Sequence, residues 1–155
     1  MRRLLLPILA IILLACDPSR VYEDNTDLAG QLWTQDQVVA FRFQIQDPNS
    51  SYNIYSNIRN AIDYPYYNLY YQYTLQDSSG KVLTKKLQNI DLFDPKTGEP
   101  YGSGLGDLFD HQQLILEDYE FDLSGEYIVS FQQYMRRDTL PLILSVGARV
   151  ERSDL

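Results

Sequence analysis

The chain has 155 residues, and its 21 Asp and Glu residues outnumber 13 Lys and Arg residues to give a formal net charge of −8 at pH 7. Nucleic acids and anionic lipid headgroups attract positive charge, so an acidic chain of this kind is a poor ligand for either. One histidine and one cysteine are present, which is too few for a zinc site or an intrachain disulfide. The composition therefore predicts no zinc site and a single domain stabilised by packing.

The first 16 residues have the pattern of an export signal. Two arginines precede an unbroken apolar run over residues 4–14, and Ala15 and the only cysteine, Cys16, follow it. The run is about half of the roughly 20 residues that a membrane-spanning helix needs, so it predicts a secretory signal peptide. The order Leu-Leu-Ala-Cys at 13–16 also resembles the lipobox of bacterial lipoproteins, in which the chain is cleaved before a cysteine that carries acyl chains. The alternative is an ordinary signal peptide with a stray cysteine.

We predict three regions on this basis. Residues 1–15 are a cleaved lipoprotein signal peptide, and residues 16–31 are a lipidated N-terminus (with palmitate on Cys16) and a polar, flexible tether. Residues 32–155 are the folded domain. Removal of the signal peptide leaves 11 basic and 21 acidic residues, a net charge of about −10. Two or three acyl chains hold a protein durably at a membrane, so we expect a periplasm-facing envelope lipoprotein, with the inner or outer membrane left open.

Strand patterns dominate the rest of the chain. Thirteen tyrosines and six phenylalanines are present, and aromatic residues favour β-sheet. Apolar and polar residues alternate after Trp33, as in half-buried strands, and turn signals separate the segments. The pattern predicts an all-β fold, a single antiparallel β-sandwich of jelly-roll type. The predicted strands cover residues 38–46, 52–60, 67–76, 82–87, 114–116, 126–135 and 142–150, with a weaker pattern at 119–123.

Three finer expectations follow from the same patterns. Gly80 in the Asp-Ser-Ser-Gly turn supplies a positive φ to a hairpin. Leu83 and Leu87 point inward on the strand that follows it. Residues 94–110, which are rich in glycine and contain two prolines, form a long irregular loop.

Residues suited to catalysis or metal binding are scarce. His111 is the only histidine, and its place after the glycine-rich loop indicates a solvated loop residue more than a general base. Calcium ligands are available, but their spacing is not that of an EF-hand and favours a solvated acidic loop. We predict no catalytic residue and no metal site. The acidic residues considered are Asp91, Asp94, Asp107 and Asp110.

One segment combines side chains that are common at interfaces. Residues 58–71 (IRNAIDYPYYNLYY) hold a guanidinium, a carboxylate, two amides and several phenols around one strand connection. The structural interpretation is an ion pair between Arg59 and Asp63 across the turn. The functional interpretation is a protein contact, since tyrosine and arginine dominate interface hot spots, although a tyrosine-lined groove also suits a sugar. The candidate interaction patch is Arg59, Asn60, Asp63, Tyr64, Tyr66 and Asn68.

The order of several short motifs resembles the GldH family of gliding-motility lipoproteins of the Bacteroidetes. The resemblance implies a non-enzymatic accessory lipoprotein whose partners are envelope proteins of the gliding and type IX secretion machinery, without cofactors. A departure is Lys85-Lys86, where the family is often acidic. A glycan-binding module and a hydrolase dependent on His111 remain alternatives. The matching segments are Cys16, residues 20–22, Trp33, residues 41–47 (FRFQIQD), 58–60 (IRN), 63–70 (DYPYYNLY), 80–81, 102–107, 124–127, 134–136 and 146–151 (VGARVE).

Overall fold

A computed structural model describes residues 17–154. The predicted signal peptide and Cys16 lie outside these residues. The described part of the chain contains eleven strands and one 3-10 turn, Ala29–Gln31. No helix within it is long and apolar enough to cross a membrane. The strands are β1 (Arg20–Asp27), β2 (Leu32–Thr34), β3 (Val38–Ile45), β4 (Ser51–Ala61), β5 (Asn68–Asp77), β6 (Val82–Asp91), β7 (Ser103–Leu105), β8 (Leu108–Glu120), β9 (Gly125–Gln133), β10 (Thr139–Pro141) and β11 (Ile143–Arg152).

The strands form two large antiparallel sheets and one small one. The five-stranded sheet has the order β1-β11-β4-β8-β7, the four-stranded sheet has the order β3-β9-β5-β6, and β10 pairs with β2. Aromatic side chains from both large sheets fill the space between them. The predicted all-β sandwich is confirmed.

The core follows from the alternation that predicted the strands. On β3, every second side chain from Val39 to Ile45 is buried and the intervening ones are exposed. The partner strand β9 alternates in the same way. Phe131 at its centre lies 6.1 Å from Phe41 and 5.9 Å from Tyr71, ring centroid to ring centroid. Tilted and edge-to-face rings at these distances add stabilisation beyond the buried area.

Tyrosine hydroxyls join the two large sheets. The hydroxyl of Tyr71 on β5 lies 2.6 Å from Ser56 Oγ on β4 and donates to Gln113 Oε1 on β8 at 2.9 Å. Tyr73, two residues further along β5, donates to the carbonyl of Ile115 at 3.0 Å. These hydrogen bonds satisfy polar groups that burial would otherwise leave unpaired. Tyrosine therefore serves here as an apolar core residue with a sheet-to-sheet hydrogen bond.

The predicted flexible tether is wrong for the described residues 17–31, because residues 20–27 form β1, Leu28 is buried and Asp17 is hydrogen-bonded to the fold. This strand pairs with β11 from Arg20↔Glu151 to Asp27↔Ser145. Its side chains are almost all exposed, so backbone hydrogen bonds, rather than an apolar face, hold it at the sheet edge. An edge strand of this kind has no hydrophobic period, which is why its sequence looked unstructured.

Two expectations around β6, the turn at Gly80 and the orientation of Leu87, have different outcomes. Gly80 has a φ of +86° and confirms the predicted turn. Leu87 is 54% exposed, so its predicted inward orientation is wrong. The pairing register of β5 with β6 changes between Leu75, which pairs with Thr84, and Gln76, which pairs with Val82. The extra residue, Leu83, forms a bulge that reverses the faces of the rest of β6.

The predicted loop and short strand before Ser124 also differ from the structure. Residues Leu108–Glu120 form one strand of 13 residues, β8, with the short β7 beside it. This strand pairs with β4 over its length, with register shifts near Ile54. Because β8 begins inside the predicted loop, residues expected to be solvated lie on the sheet.

Candidate functional site

Three of the six predicted patch residues, Asn60, Tyr64 and Asn68, are buried and support the fold. Asn60 on β4 is fully buried, and its Nδ2 donates to the carbonyl of Ala61 at 2.9 Å. Tyr64 is also buried and donates its hydroxyl to the carbonyl of Asn68 at 3.2 Å. Burial raises the pKa of the Tyr64 phenol, so it stays protonated. Neither Asn60 nor Tyr64 is accessible to a partner.

Arg59 pairs with Asp110 rather than with Asp63, which corrects the predicted ion pair. The Nε of Arg59 lies 2.7 Å from Asp110 Oδ1, and its Nη2 lies 3.0 Å from Oδ2. The two residues are directly opposite each other on β4 and β8, and both side chains point outward. Strand β4 continues to Ala61, so Asp63 lies beyond it in an exposed turn.

Replacement of Arg59 by Ala is expected to lower the free energy of unfolding by no more than about 1 kcal/mol, because exposed ion pairs contribute little. Both side chains are about half exposed. Chemical denaturation of Arg59→Ala, Asp110→Ala and the double variant measures the coupling between them. A coupling well above that value would show that the pair is a structural element of the sheet.

The partly buried Tyr66 and the buried Asn68 line a groove beside the end of the four-stranded sheet. We call it the tyrosine–arginine groove; its volume is about 490 Å³. Asn68 Nδ2 donates to Asn89 Oδ1 at 2.7 Å. The backbone N–H of Tyr134 donates to the carbonyl of Tyr70 at 2.8 Å and fixes the connection after β9 against β5. The groove is lined by Tyr66, Asn68, Tyr70, Leu87, Tyr134, Met135, Arg136 and Arg137.

Large apolar and aromatic surfaces of this groove are open to solvent. Tyr134 is 50% exposed and Tyr70 is 41% exposed, and Leu87 lies beside them. Tyr66 is held in place from two sides. Arg137 Nε donates to its hydroxyl at 3.1 Å, and its ring packs edge-on against Tyr64 at 5.6 Å. The groove thus has a preformed wall and exposed side chains that gain contacts on binding.

The two arginines of the groove carry uncompensated charge. Among the seven arginines of residues 17–154, Arg136 and Arg137 form no ion pair with a carboxylate. Both are exposed. The groove is therefore a local positive site on an acidic protein. The other five arginines, Arg20, Arg42, Arg59, Arg149 and Arg152, each contact an Asp or Glu.

Sequence reasoning missed most of this groove. Tyr134, Met135 and the two arginines are more than 60 positions from Tyr66 in the sequence, and only the pairing of β5 with β9 brings them together. A signal was present in the sequence, because Arg136-Arg137 is the only adjacent arginine pair after Arg2-Arg3. Arg136 and Arg137 are informative because the other arginines of residues 17–154 form ion pairs with carboxylates. The local sequence does not show those ion pairs.

His111 is not the solvated loop residue that we expected. It lies on β8, is 6% exposed, and its ring would clash with any Cβ added at Gly102. Within residues 17–154 its Nε2 has no hydrogen-bond partner, and burial lowers its pKa. Its imidazole is therefore neutral near pH 7 and packs as a core residue.

The acidic residues considered for calcium binding are used locally or lie apart. Asp110 binds Arg59, and Asp94 Oδ1 accepts the backbone N–H groups of Lys96 and Thr97 in a turn. In the part of the chain that the structure describes, no group of three or more His, Cys, Asp and Glu residues is placed to hold a metal ion.

Comparison with known proteins identifies the family. A model of the GldH lipoprotein family matches residues 20–150, which is most of the folded domain. The chain belongs to the GldH lipoprotein family. The predicted resemblance is confirmed.

Two relatives and one solved structure are similar to this chain. The chain is 36% identical over 151 residues to a gliding motility lipoprotein GldH homolog of Christiangramia forsetii, covering 93% of this chain and 91% of that protein. It is 31% identical over 152 residues to gliding motility lipoprotein GldH of Flavobacterium johnsoniae, covering 94% and 92%. A structure of infectious bursal disease virus, Gx strain, covers 88% of this chain and 33% of its own at 14% identity, with a TM-score of 0.44.

Proposed function

We propose that this member of the GldH family is a membrane-anchored accessory lipoprotein of the gliding-motility apparatus and of the type IX secretion system coupled to it. It acts by binding another envelope protein and not by catalysis. Two relatives named as gliding motility lipoproteins match nearly the whole chain, which supports the motility role. The observation that supports a binding mechanism is the tyrosine–arginine groove.

The proposed anchor is the acylated Cys16. Membership of a lipoprotein family supports membrane association, and the cysteine directly follows the apolar run of the export signal. The folded domain then works beside the membrane, facing the periplasm. A protein in this position meets other envelope proteins at high local concentration, so a modest interface suffices for binding.

The chemistry of the groove specifies the kind of partner. The guanidinium groups of Arg136 and Arg137 have no carboxylate partner within the described residues and therefore favour a ligand that carries carboxylates. A guanidinium can bind a carboxylate through two parallel hydrogen bonds. Tyr70, Tyr134 and Leu87 add exposed apolar surface beside these charges. We propose that the occupant is a protein segment in which acidic residues flank an apolar or aromatic side chain. Tyrosine and arginine are the residue types that most often dominate such contacts.

Reversal of the two groove charges tests this proposal. In cells treated with a chemical cross-linker, Arg136→Glu/Arg137→Glu is expected to reduce capture of the partner by about tenfold or more, since loss of one strong charged contact costs at least about 1.4 kcal/mol. The matched control, Lys81→Glu/Lys96→Glu, makes the same change in net charge at exposed positions outside the groove. It should capture as the unmodified protein does.

The measurement has two informative alternatives. Equal capture by the groove variant and the unmodified protein would exclude the groove as the interface. Loss of all capture when free oligosaccharide is added before the cross-linker would favour a glycan-binding module and overturn the proposal. Thermal unfolding of each variant, followed by the fluorescence of the buried Trp33, ensures that only folded proteins are compared.

A further inference from the structure

The first residue after Cys16 is fixed to the folded domain by a charged cluster. The carboxylate of Asp17 accepts a hydrogen bond from Arg149 Nη2 on β11. The same guanidinium lies 3.2 Å from Glu23 Oε2 on β1 and 2.8 Å from Glu151 Oε2 on β11. One arginine thus joins three carboxylates from the N-terminal segment, the edge strand β1 and its neighbour β11. We call this the Arg149 cluster.

Additional hydrogen bonds hold the segment between the cluster and β1. The backbone N–H of Arg152 donates to the carbonyl of Ser19 at 2.8 Å, which extends the pairing of β1 with β11. The hydroxyl of Ser19 donates to Asp17 Oδ1 at 2.7 Å. This hydroxyl and Arg149 lower the pKa of Asp17 to about 2, so its carboxylate is charged at neutral pH. The chain is therefore ordered from Asp17 onward.

The Arg149 cluster lies near one end of the sandwich. Strand β11 runs towards this end and finishes at Arg152, whose Nη2 donates to Ser50 Oγ at 2.6 Å. The loop of residues 46–50, which follows β3, is therefore at the same end. The opposite end holds the turn of residues 35–37, which precedes β3. A strand rises about 3.3 Å per residue, so the eight residues of β3 separate the two turns by roughly 25 Å.

The absence of a tether between Asp17 and the fold has a mechanical consequence. A flexible tether of 16 residues would have a root-mean-square length of roughly 20–24 Å, comparable with the domain itself, and would permit any orientation. With Asp17 fixed, only the Cys16 residue separates the acyl chains from the sheet. Peptide geometry limits one residue to about 3.8 Å.

We infer that the Arg149 cluster fixes the orientation of the domain on the membrane, with the Asp17 end against the lipid surface and the tyrosine–arginine groove pointing away from it. This inference rests on the proposed acylation of Cys16. The groove lies beyond the end of β9 and the start of β5, at the end opposite to Asp17. It is thus presented to proteins that lie above the membrane rather than within it.

Single-thiol labelling tests the orientation. Cys16 is the only cysteine and is blocked by acylation, so Asn49→Cys and Asp36→Cys each introduce one free thiol. Both positions are exposed, and they lie at opposite ends of β3. The lipidated protein with a fluorophore at one position is placed in vesicles of phosphatidylethanolamine and phosphatidylglycerol that contain a headgroup-attached quencher. We expect quenching at position 49 to be several-fold stronger than at position 36.

Two further variants separate orientation from folding and from acylation. Insertion of about ten Gly and Ser residues between Cys16 and Asp17, a span of roughly 17 Å, leaves the fold and the cluster intact. The insertion should make the quenching equal at positions 49 and 36. Arg149→Gln should reduce the difference in quenching between these positions. Equal quenching at both positions in the protein without the insertion, with acylation verified by mass spectrometry, would overturn the inference.

Discussion

Replacement of Cys16 by Ala is expected to abolish incorporation of labelled palmitate and to release the protein from the membrane or mislocalise it. The physical reason is that Cys16 carries all of the acyl chains that we propose. Each buried methylene contributes about 0.8 kcal/mol, and two or three chains are needed for durable anchoring. Without them, an acidic domain has no attraction to an anionic membrane surface. Metabolic labelling and fractionation of cell extracts measure both effects.

A control variant separates loss of the anchor from loss of the protein. Arg59→Ala keeps the lipobox and the exposed surface near the N-terminus, so it should incorporate label and fractionate as the unmodified protein does. Immunoblotting of both fractions reports the amount of each variant. Persistent labelling of Cys16→Ala would contradict the proposed anchor.

Replacement of Phe131 by Ala is expected to lower the free energy of unfolding by about 3–5 kcal/mol, the usual cost of removing a buried aromatic ring. Phe131 is fully buried and contacts Phe41 and Tyr71 in the middle of the core. Its loss leaves a cavity that the two sheets cannot fill without shifting. Denaturant unfolding of the lipidated protein in mild detergent, followed by the fluorescence of Trp33, gives the value.

The neighbouring residue provides a matched control for this measurement. Ser130 lies on the same strand, with its side chain on the opposite face of the sheet. Ser130→Ala should change the free energy of unfolding by less than about 0.5 kcal/mol. A cost below about 1 kcal/mol for Phe131→Ala would show that the aromatic core is not what holds the sheets together.

Strands with one buried and one solvated face could be predicted from the sequence. Alternation located β3, β4, β5 and β9 to within one or two residues, because each of them buries every second side chain. The fold class follows from these strands. Alternation does not locate β1, which is held by backbone pairing at the sheet edge. It does not locate the whole of β8 either, because the exposed side chains of β8 include both apolar and polar residues.

The candidate site was only partly predictable, because its composition depends on which strands are neighbours. Alternation on β4 separates Arg59 from Asn60, and strand register gives Arg59 the partner Asp110. The first fact is local in the sequence, whereas the second depends on the pairing of β4 with β8. The bulge at Leu83 places Leu87 on the outer face of β6. The Arg136-Arg137 pair stands out only in the structure, where each of the other five arginines of residues 17–154 contacts a carboxylate.

Photo-cross-linking from Tyr134 in living cells tests the central claim most directly. A benzoyl-phenylalanine replaces the exposed Tyr134 in the groove or, as a control, the exposed Gln44 on the outer face of the same sheet. We predict that position 134 gives an adduct with one envelope protein, attached at an acidic segment, and that position 44 does not. No adduct from position 134, or the same adducts from both positions, would contradict the proposal that the groove binds a protein partner.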